Sequence, residues 1–113
     1  MVMYNRDGGI ELSDLYRAIS DPIRRKILNM VAHQELAQLE IVKAFHISQP
    51  AIKKHLTILM DEELLLVRKE GKYCYYRLNT PIFQRGYEDL QDELGAILEN
   101  KLSRLKQYLE GDN

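Results

Sequence analysis

Residues 48–56 read Ser48-Gln49-Pro50-Ala51-Ile52-Lys53-Lys54-His55-Leu56, and a short basic turn, Glu70-Gly71-Lys72-Tyr73, follows soon after. Ser48 is a good helix N-cap, because its hydroxyl can accept a backbone N–H of the first turn. Pro50 has no N–H to lose there, and its fixed φ suits that turn. Ile52, Leu56, Leu59 and Met60 recur at helical spacing and form the inner stripe of a helix extending to about Glu63. Lys53, Lys54 and Thr57 are left pointing outward, with Ser48, Gln49, Ala51 and His55 in the same opening turns. Beyond Leu64 the pattern changes. Leu66-Val67-Arg68-Lys69 and Tyr73-Cys74-Tyr75-Tyr76-Arg77-Leu78 are aromatic, β-branched and partly alternating, so Glu70-Gly71-Lys72 joins two strands of a hairpin. Arg68, Lys69 and Lys72 place three cations around its turn, and Tyr73 adds a rigid ring with a hydroxyl donor.

Working back from this pair, Phe45-His46-Ile47-Ser48 is a tight turn. A helix over about Ala37 to Phe45 precedes it, with Leu39, Val42 and Phe45 as core candidates. Ser20-Asp21-Pro22 opens an earlier helix running to about Ala32, with Asp21 as its cap. Ile23, Ile27, Leu28 and Val31 form its buried stripe, and Arg24, Arg25 and Lys26 are expected to stay wet or face an anion. A short helix from Glu11 to Ile19 carries Leu12, Leu15, Tyr16 and Ile19 on one face, and residues 1–9 read as a loose arm ending in Gly8-Gly9.

After the hairpin, Asn79-Thr80-Pro81 starts a final helix, with Thr80 as expected cap. Its apolar residues step by three or four as far as Leu109. A helix from Pro81 to Leu109 would be roughly 43 Å long at about 1.5 Å per residue. A domain of this size has a radius of gyration of only about 13 Å. Much of Leu90, Leu94, Ile97, Leu98, Leu102 and Leu105 therefore needs a partner, unless the helix breaks near Gly95 and folds back. The early helix with Leu12, Leu15, Tyr16 and Ile19 is the natural companion surface in a homodimer.

The chain has 113 residues, room for one domain with a loose arm (1–9), a body (10–80) and a C-terminal dimerisation helix (81–113). It is 45 % hydrophobic and 29 % charged, as soluble globular proteins are. No apolar run approaches the roughly 20 residues that span a bilayer. The first residues lack the apolar stretch of a signal peptide, and a single cysteine, Cys74, fits a reducing compartment. A cytoplasmic location is expected, with no membrane partner. The net charge is −1, but Lys43 to Arg77 holds seven Lys/Arg against four Asp/Glu, whereas Asn79 to Asn113 holds four against seven. The positive surplus lies where the helix and hairpin lie, and local sign decides how a protein meets a polyanion.

These features describe a mainly α fold with a small β-hairpin wing, a winged helix-turn-helix. In that arrangement a short turn sets the second helix for the major groove of double-stranded DNA. Gln49 can offer a donor and an acceptor to a base edge, and Ser48 more loosely. Lys53 and Lys54 suit phosphates or guanine, and Arg68, Lys69, Lys72 and Tyr73 can straddle the backbone or enter the minor groove. The competing reading is a winged-helix module that binds a protein, its cations serving only solubility. An enzyme finds nothing to work with: no glycine-rich phosphate loop, no metal-ligand spacing and no nucleophile motif. No cofactor is expected. Cys74 reads as a small hydrophobe in mid-strand.

Ala18-Ile19-Ser20-Asp21-Pro22-Ile23-Arg24-Arg25-Lys26-Ile27-Leu28 resembles the opening motif of the ArsR/SmtB family of bacterial transcriptional repressors. Ser48 to Leu56 is similar to that family's recognition helix, and Gly71-Lys72-Tyr73 through Leu78 to its wing. The three segments stand in the family's order over roughly residues 12 to 80. The resemblance implies a homodimer that binds a palindromic operator and represses transcription. It also implies that His55 stands at the family's usual histidine position. The founding members release DNA when a metal or metalloid binds, through cysteines in a Glu-Leu-Cys-Val-Cys-Asp-Leu stretch. Here that stretch reads Glu35-Leu36-Ala37-Gln38-Leu39-Glu40-Ile41, and neither Ala37 nor Leu39 can ligate. The family's other common site uses Asp and His on the C-terminal helix, and no histidine follows His55. No metal site is expected.

Overall fold

The computed structural model describes residues 2–4, 10–12 and 15–111. Helices α1 (Leu15–Ile19), α2 (Pro22–His33), α3 (Gln38–Lys43) and α4 (Gln49–Asp61) precede the long α5 (Thr80–Glu110). Strands β1 (Val2–Tyr4) and β2 (Ile10–Leu12) form one ribbon, and β3 (Leu36–Ala37), β4 (Leu65–Glu70) and β5 (Tyr73–Leu78) form an antiparallel sheet in the order β3-β5-β4. This is a winged helix-turn-helix.

The core is built where the helical stripes meet. Ile27, Leu28 and Val31 from α2 pack with Ile41 from α3 and with Ile52, Leu56 and Leu59 from α4. Leu15, Ala18, Leu64, Leu65 and Tyr76 close it. Each large aliphatic side chain fully removed from water contributes roughly 1.5–3 kcal/mol. The α4 stripe is the one its spacing predicts. That of α3 is not: Leu39, expected inside, is 54 % exposed, and Ile41 is fully buried. Residues two positions apart on a helix are about 200° apart around its axis, so once Ile41 turns inward Leu39 must turn out. Val42 and Phe45 keep the edge of the core.

The start of the chain also departs from expectation. Glu11 and Leu12 belong to a strand, with Val2↔Leu12, Met3↔Glu11 and Tyr4↔Ile10 in register, and the helix begins only at Leu15. Ile10-Glu11-Leu12 alternates apolar, polar, apolar, the period of a strand. Residues 5–9 of the expected arm and the side chain of Leu12 lie outside the described residues. Strand β3 was not expected either, since two residues carry no period.

Between α4 and the wing the chain reverses through Glu63, which has a left-handed φ of 60°. The Leu64 N–H donates to the Leu59 carbonyl at 3.0 Å and the Glu63 N–H to the Met60 carbonyl at 2.9 Å. This is a Schellman close of the helix, with the two buried leucines in contact positions. Asn79 then fastens α5 to the same turn: its N–H donates to the Leu64 carbonyl at 2.8 Å and its Nδ2 to the Glu63 carbonyl at 2.9 Å. Thr80, expected as the cap of α5, is already helical, and Asn79 is the N-cap residue, its side chain spent on Glu63.

Helix α5 runs unbroken through Gly95, so it does not fold back there. Its first turns rest on the body through Ile82, Phe83 and Leu90. At Gly86 an added Cβ would stand 3.2 Å from the Leu15 Cβ, so the glycine lets α1 and α5 approach closely. Beyond Leu90 the helix leaves the domain. The radius of gyration is 18.8 Å and the long axis 72 Å, well above the compact expectation of about 13 Å.

Glu63 is the costly residue of this architecture. An L side chain in the left-handed region is disfavoured by about 1–2 kcal/mol, and one carboxyl oxygen of Glu63 is buried without a hydrogen-bond partner among the described residues. Glu63→Gly is expected to raise stability by about 1 kcal/mol in urea unfolding, since glycine adopts this φ freely. A loss of stability would show that the side chain contributes more than its strain costs.

Candidate nucleic-acid interface

The interface is assembled from α4, the turn before it and the wing. Ser48 caps α4, its Oγ accepting from the Ala51 N–H at 3.3 Å, and Pro50 lies in the first turn. Ser48, Gln49, Lys53, Lys54 and Thr57 are exposed, while Ala51 and His55 are half-buried. The Thr57 hydroxyl donates back to the Lys53 carbonyl at 3.0 Å. Against this face stands a cleft of about 320 Å³. Gln49 and Lys53 of α4 form one wall, Lys72, Tyr73 and Cys74 of the wing another, and Ala37, Gln38 and Leu39 the floor between. Cations from helix and wing thus converge on one concavity, although the sequence separates them widely.

The wing turn is tight because Glu70 pairs with Tyr73 across only Gly71 and Lys72. Gly71 has φ +59° while Lys72 is not left-handed, the sign pattern of a type II′ hairpin turn, whose first central position favours glycine. The Lys72 Nζ lies 5.6 Å from the Tyr73 ring centroid, at cation–π range. Arg68 is employed differently from the expected phosphate grip. It meets Glu35 through two contacts, Nη2 to Oε1 at 2.7 Å and Nε to Oε2 at 3.2 Å, and reaches Glu70 Oε2 at 2.6 Å. Its guanidinium also stacks 4.5 Å from the Tyr75 ring. The hydrogen bond from Arg68 holds the Glu35 carboxyl below its ordinary range, and the bonds to Glu35 and Glu70 push the Arg68 guanidinium further up. Arg68 thereby ties the wing to the α2–β3 connection, leaving Lys69, Lys72 and Arg77 as the wing cations without such an ion pair among the described residues. Tyr76 turns inward and donates to Gln38 Oε1 at 3.1 Å, and burial raises its phenol above the ordinary value.

Beneath α4 lies a feature that spacing did not reveal. Arg24, expected to be wet, is only 8 % exposed. Its Nε donates to the Ala18 carbonyl at 3.0 Å, its Nη2 to the Arg17 carbonyl at 2.8 Å and to Ser20 Oγ at 3.2 Å, and its Nη1 to His55 Nδ1 at 3.0 Å. An arginine only donates, so in this contact His55 Nδ1 is the acceptor. The guanidinium therefore finishes α1 and props the recognition face of α4 through His55. Arg25 bonds the Ile19 carbonyl, and Lys26 lies 3.4 Å from the Ala44 carbonyl and over the Phe45 ring. These three cations close helix ends and a turn. Asp21 caps α2 by accepting the Ile23 N–H at 2.7 Å. Desolvation works to raise its carboxyl, but that hydrogen bond and the positive groups nearby outweigh it and leave the group below its ordinary value.

Ala37, Gln38, Leu39 and Cys74 line the cleft without having been expected there. The signal was available in Ile41, whose burial forces Leu39 to the opposite face. Ala37, the other position where a metal-sensing relative would carry a thiolate, pairs with Tyr75 in the sheet.

A helix-turn-helix whose second helix offers exposed lysines beside a basic wing defines a winged DNA-binding regulator. Residues 21–66 match the family described as "Bacterial regulatory protein, arsR family". Over 73 residues the chain is 38 % identical to the transcriptional repressor SdpR of Bacillus subtilis, a stretch covering 65 % of this chain and 81 % of that one. It is 36 % identical over 87 residues to the arsenical resistance operon repressor of Staphylococcus aureus, covering 77 % and 80 %. Among solved structures, a possible transcriptional regulator for arsenical resistance superposes with a TM-score of 0.64 at 26 % identity, covering 80 % of this chain and 97 % of that one. An ArsR-like regulator from Rhodococcus sp. RHA1 shares the fold, with a TM-score of 0.66 at 24 % identity over 83 % and 88 %. The chain belongs to the ArsR family of transcriptional regulators. It is a DNA-binding repressor type and not an enzyme.

The buried guanidinium generates a direct test. Arg24→Leu leaves the Ala18 carbonyl and His55 Nδ1 without their donor, while the Arg17 carbonyl keeps the Ser20 hydroxyl at 3.0 Å, and each such loss costs about 1–3 kcal/mol. A net loss on the order of 2 kcal/mol is expected in urea unfolding. Unchanged stability would mean that Arg24 is dispensable to the seat of α4.

Proposed function

We propose that the chain is a homodimeric repressor that reads a palindromic operator with α4 and is not controlled by metal. The reading rests above all on the cleft that gathers Gln49 and Lys53 of α4 with Lys72 and Tyr73 of the wing. In this account Gln49 meets a base edge in the major groove, Lys53 and Lys54 bind phosphate or guanine, and Lys69 and Lys72 hold backbone beside the groove. Ala51 and Leu39 offer apolar surface to thymine methyls. Arg68 acts through the wing's attachment. No described helix is long and apolar enough to cross a membrane, and a cytoplasmic site of action accords with DNA as the partner. Chemistry speaks against metal control, because Ala37 and Leu39 offer no ligand atoms where the resemblance would put thiolates.

The dimer is argued from α5. Leu94, Ile97, Leu98, Leu102 and Leu105 are 50–60 % exposed on one helix, and α5 has no fully buried residue. A contiguous apolar stripe of this size on a soluble chain marks an interface. A second copy, related by a two-fold axis, supplies the same stripe, with Tyr16 and Ile19 of α1 and Leu90 at the inner end. Leu15 is already buried against its own domain.

Selecting duplexes from a random pool, then measuring retention across a salt series, tests the function. A palindromic selected site with a steep salt dependence supports it. No retention of duplex DNA even at low salt would favour the protein-binding alternative. Lys53→Ala with Lys54→Ala is expected to weaken binding and to lower the salt slope by about one unit per lost phosphate contact, with unfolding nearly unchanged. Wild-type affinity in that variant contradicts the role of α4. Leu94→Glu with Leu98→Glu is expected to sediment as a monomer and to lose operator binding, although every DNA-facing residue is intact. A dimeric double variant would refute the α5 interface.

A further inference from the structure

A second cleft, of about 370 Å³, shares no residue with the one beside the wing. Its floor is apolar: Ile19 at the end of α1, Leu28 of α2, Leu78 at the end of β5 and Phe83 in the first turn of α5. Its rim is polar and lies on one face of α2, where Arg25 and Asn29 stand one helical turn apart with Ala32 beyond them. Arg25 donates to the Ile19 carbonyl, and both residues line the cleft, so the guanidinium is held at its mouth. Arg25 has no ion pair among the described residues. A volume of this size is at the low end of the range for small-molecule sites, roughly 300–1,000 Å³. An apolar floor with a fixed cation and an amide donor at one edge matches a small carboxylate on an apolar body, because guanidinium and carboxylate form strong charge-assisted hydrogen bonds.

We propose that this cleft binds a small organic carboxylate with an apolar body, and that the ligand sets operator affinity. Arg25 and Asn29 take the carboxylate, and Leu28, Leu78 and Phe83 take the body. The regulatory half rests on the dimeric repressor reading above. The cleft is walled by α1 and α5, the arms of that dimer, and by α2, whose Arg24 supports α4. A ligand that wedges these elements changes the separation of the two recognition helices, and it shifts affinity only as far as it favours one arrangement over the other.

The probe is hexanoate, with hexanamide as its uncharged counterpart, titrated calorimetrically into the full chain without DNA. One hexanoate per chain is expected at saturation, with hexanamide at least about tenfold weaker. Arg25→Gln keeps a polar side chain on this face of α2 but removes the charge, and should weaken hexanoate about tenfold. Ala32→Phe fills the cleft from an exposed helical position and should abolish binding. Equal binding of the amide, full binding to either variant, or no saturable binding overturns the site. Hexanoate that binds wild type yet leaves selected-operator affinity unchanged overturns the regulatory half. A chain that takes hexanoate but selects no operator locates the failure in the repressor reading.

Discussion

The constraint on which the rest depends is the length of α5 against the size of the body. Thirty-one residues of helix extend about 46 Å, and the domain beneath them offers only its first turns a surface. The apolar stripe beyond Leu90 is therefore a debt that one chain cannot settle, and hydrophobic burial is the largest favourable force available to settle it. On the dimer reading, covering that stripe also fixes where two copies of α4 stand. The same leucines would then supply stability and set the spacing of the DNA contacts, without touching DNA.

Within one domain the corresponding problem is to present a short helix rigidly. The inner face of α4 is held by Ile52, Leu56 and Leu59 in the core, its start by Ser48 and Pro50, and its end by the reversal at Glu63. Arg24 adds a polar strut from α1 and α2 to His55. The turn at Glu63 and Leu64 is also the anchor for Asn79, so the end of α4, the base of the wing and the start of α5 share one fastening. A displacement of α5 would thus be felt at α4 through covalent neighbours and the two hydrogen bonds from Asn79. The two clefts lie on opposite sides of this logic: one gathers the groups suited to DNA, the other opens between the elements that position them.

Much of this was legible in the chain. The helical stripe of α4, the cap at Ser48, the hairpin around Gly71 and the unbroken march of leucines along α5 each follow from spacing and local chemistry, and each is where the pattern put it. What could not be read were contacts between distant segments. Arg24 looks like a surface cation because nothing local says that Ala18, Arg17 and His55 converge on it. Arg68 looks free because Glu35 is far away in sequence. Leu39 looks buried because a six-residue helix gives too few turns to fix its face, and Ile10-Glu11-Leu12 is too short an alternation to outweigh the helical spacing of Leu12, Leu15, Tyr16 and Ile19. Of the candidate interface residues, those on α4 are expected from periodicity, while the place of Gln38 and Leu39 beside them comes only from the fold.

The central claim is that α5 pairs two chains so that their recognition helices meet successive major grooves, about 34 Å apart. It is tested most directly by a spin–spin distance between copies of the chain. A label placed at Thr57→Cys in a Cys74→Ser background reports the separation of the two α4 helices in solution by pulsed electron resonance. The account predicts a single distribution centred within several ångströms of one helical turn of DNA, narrowing when the operator is added. No measurable inter-chain distance at micromolar protein, or a distance that no two successive grooves could accommodate, would contradict it.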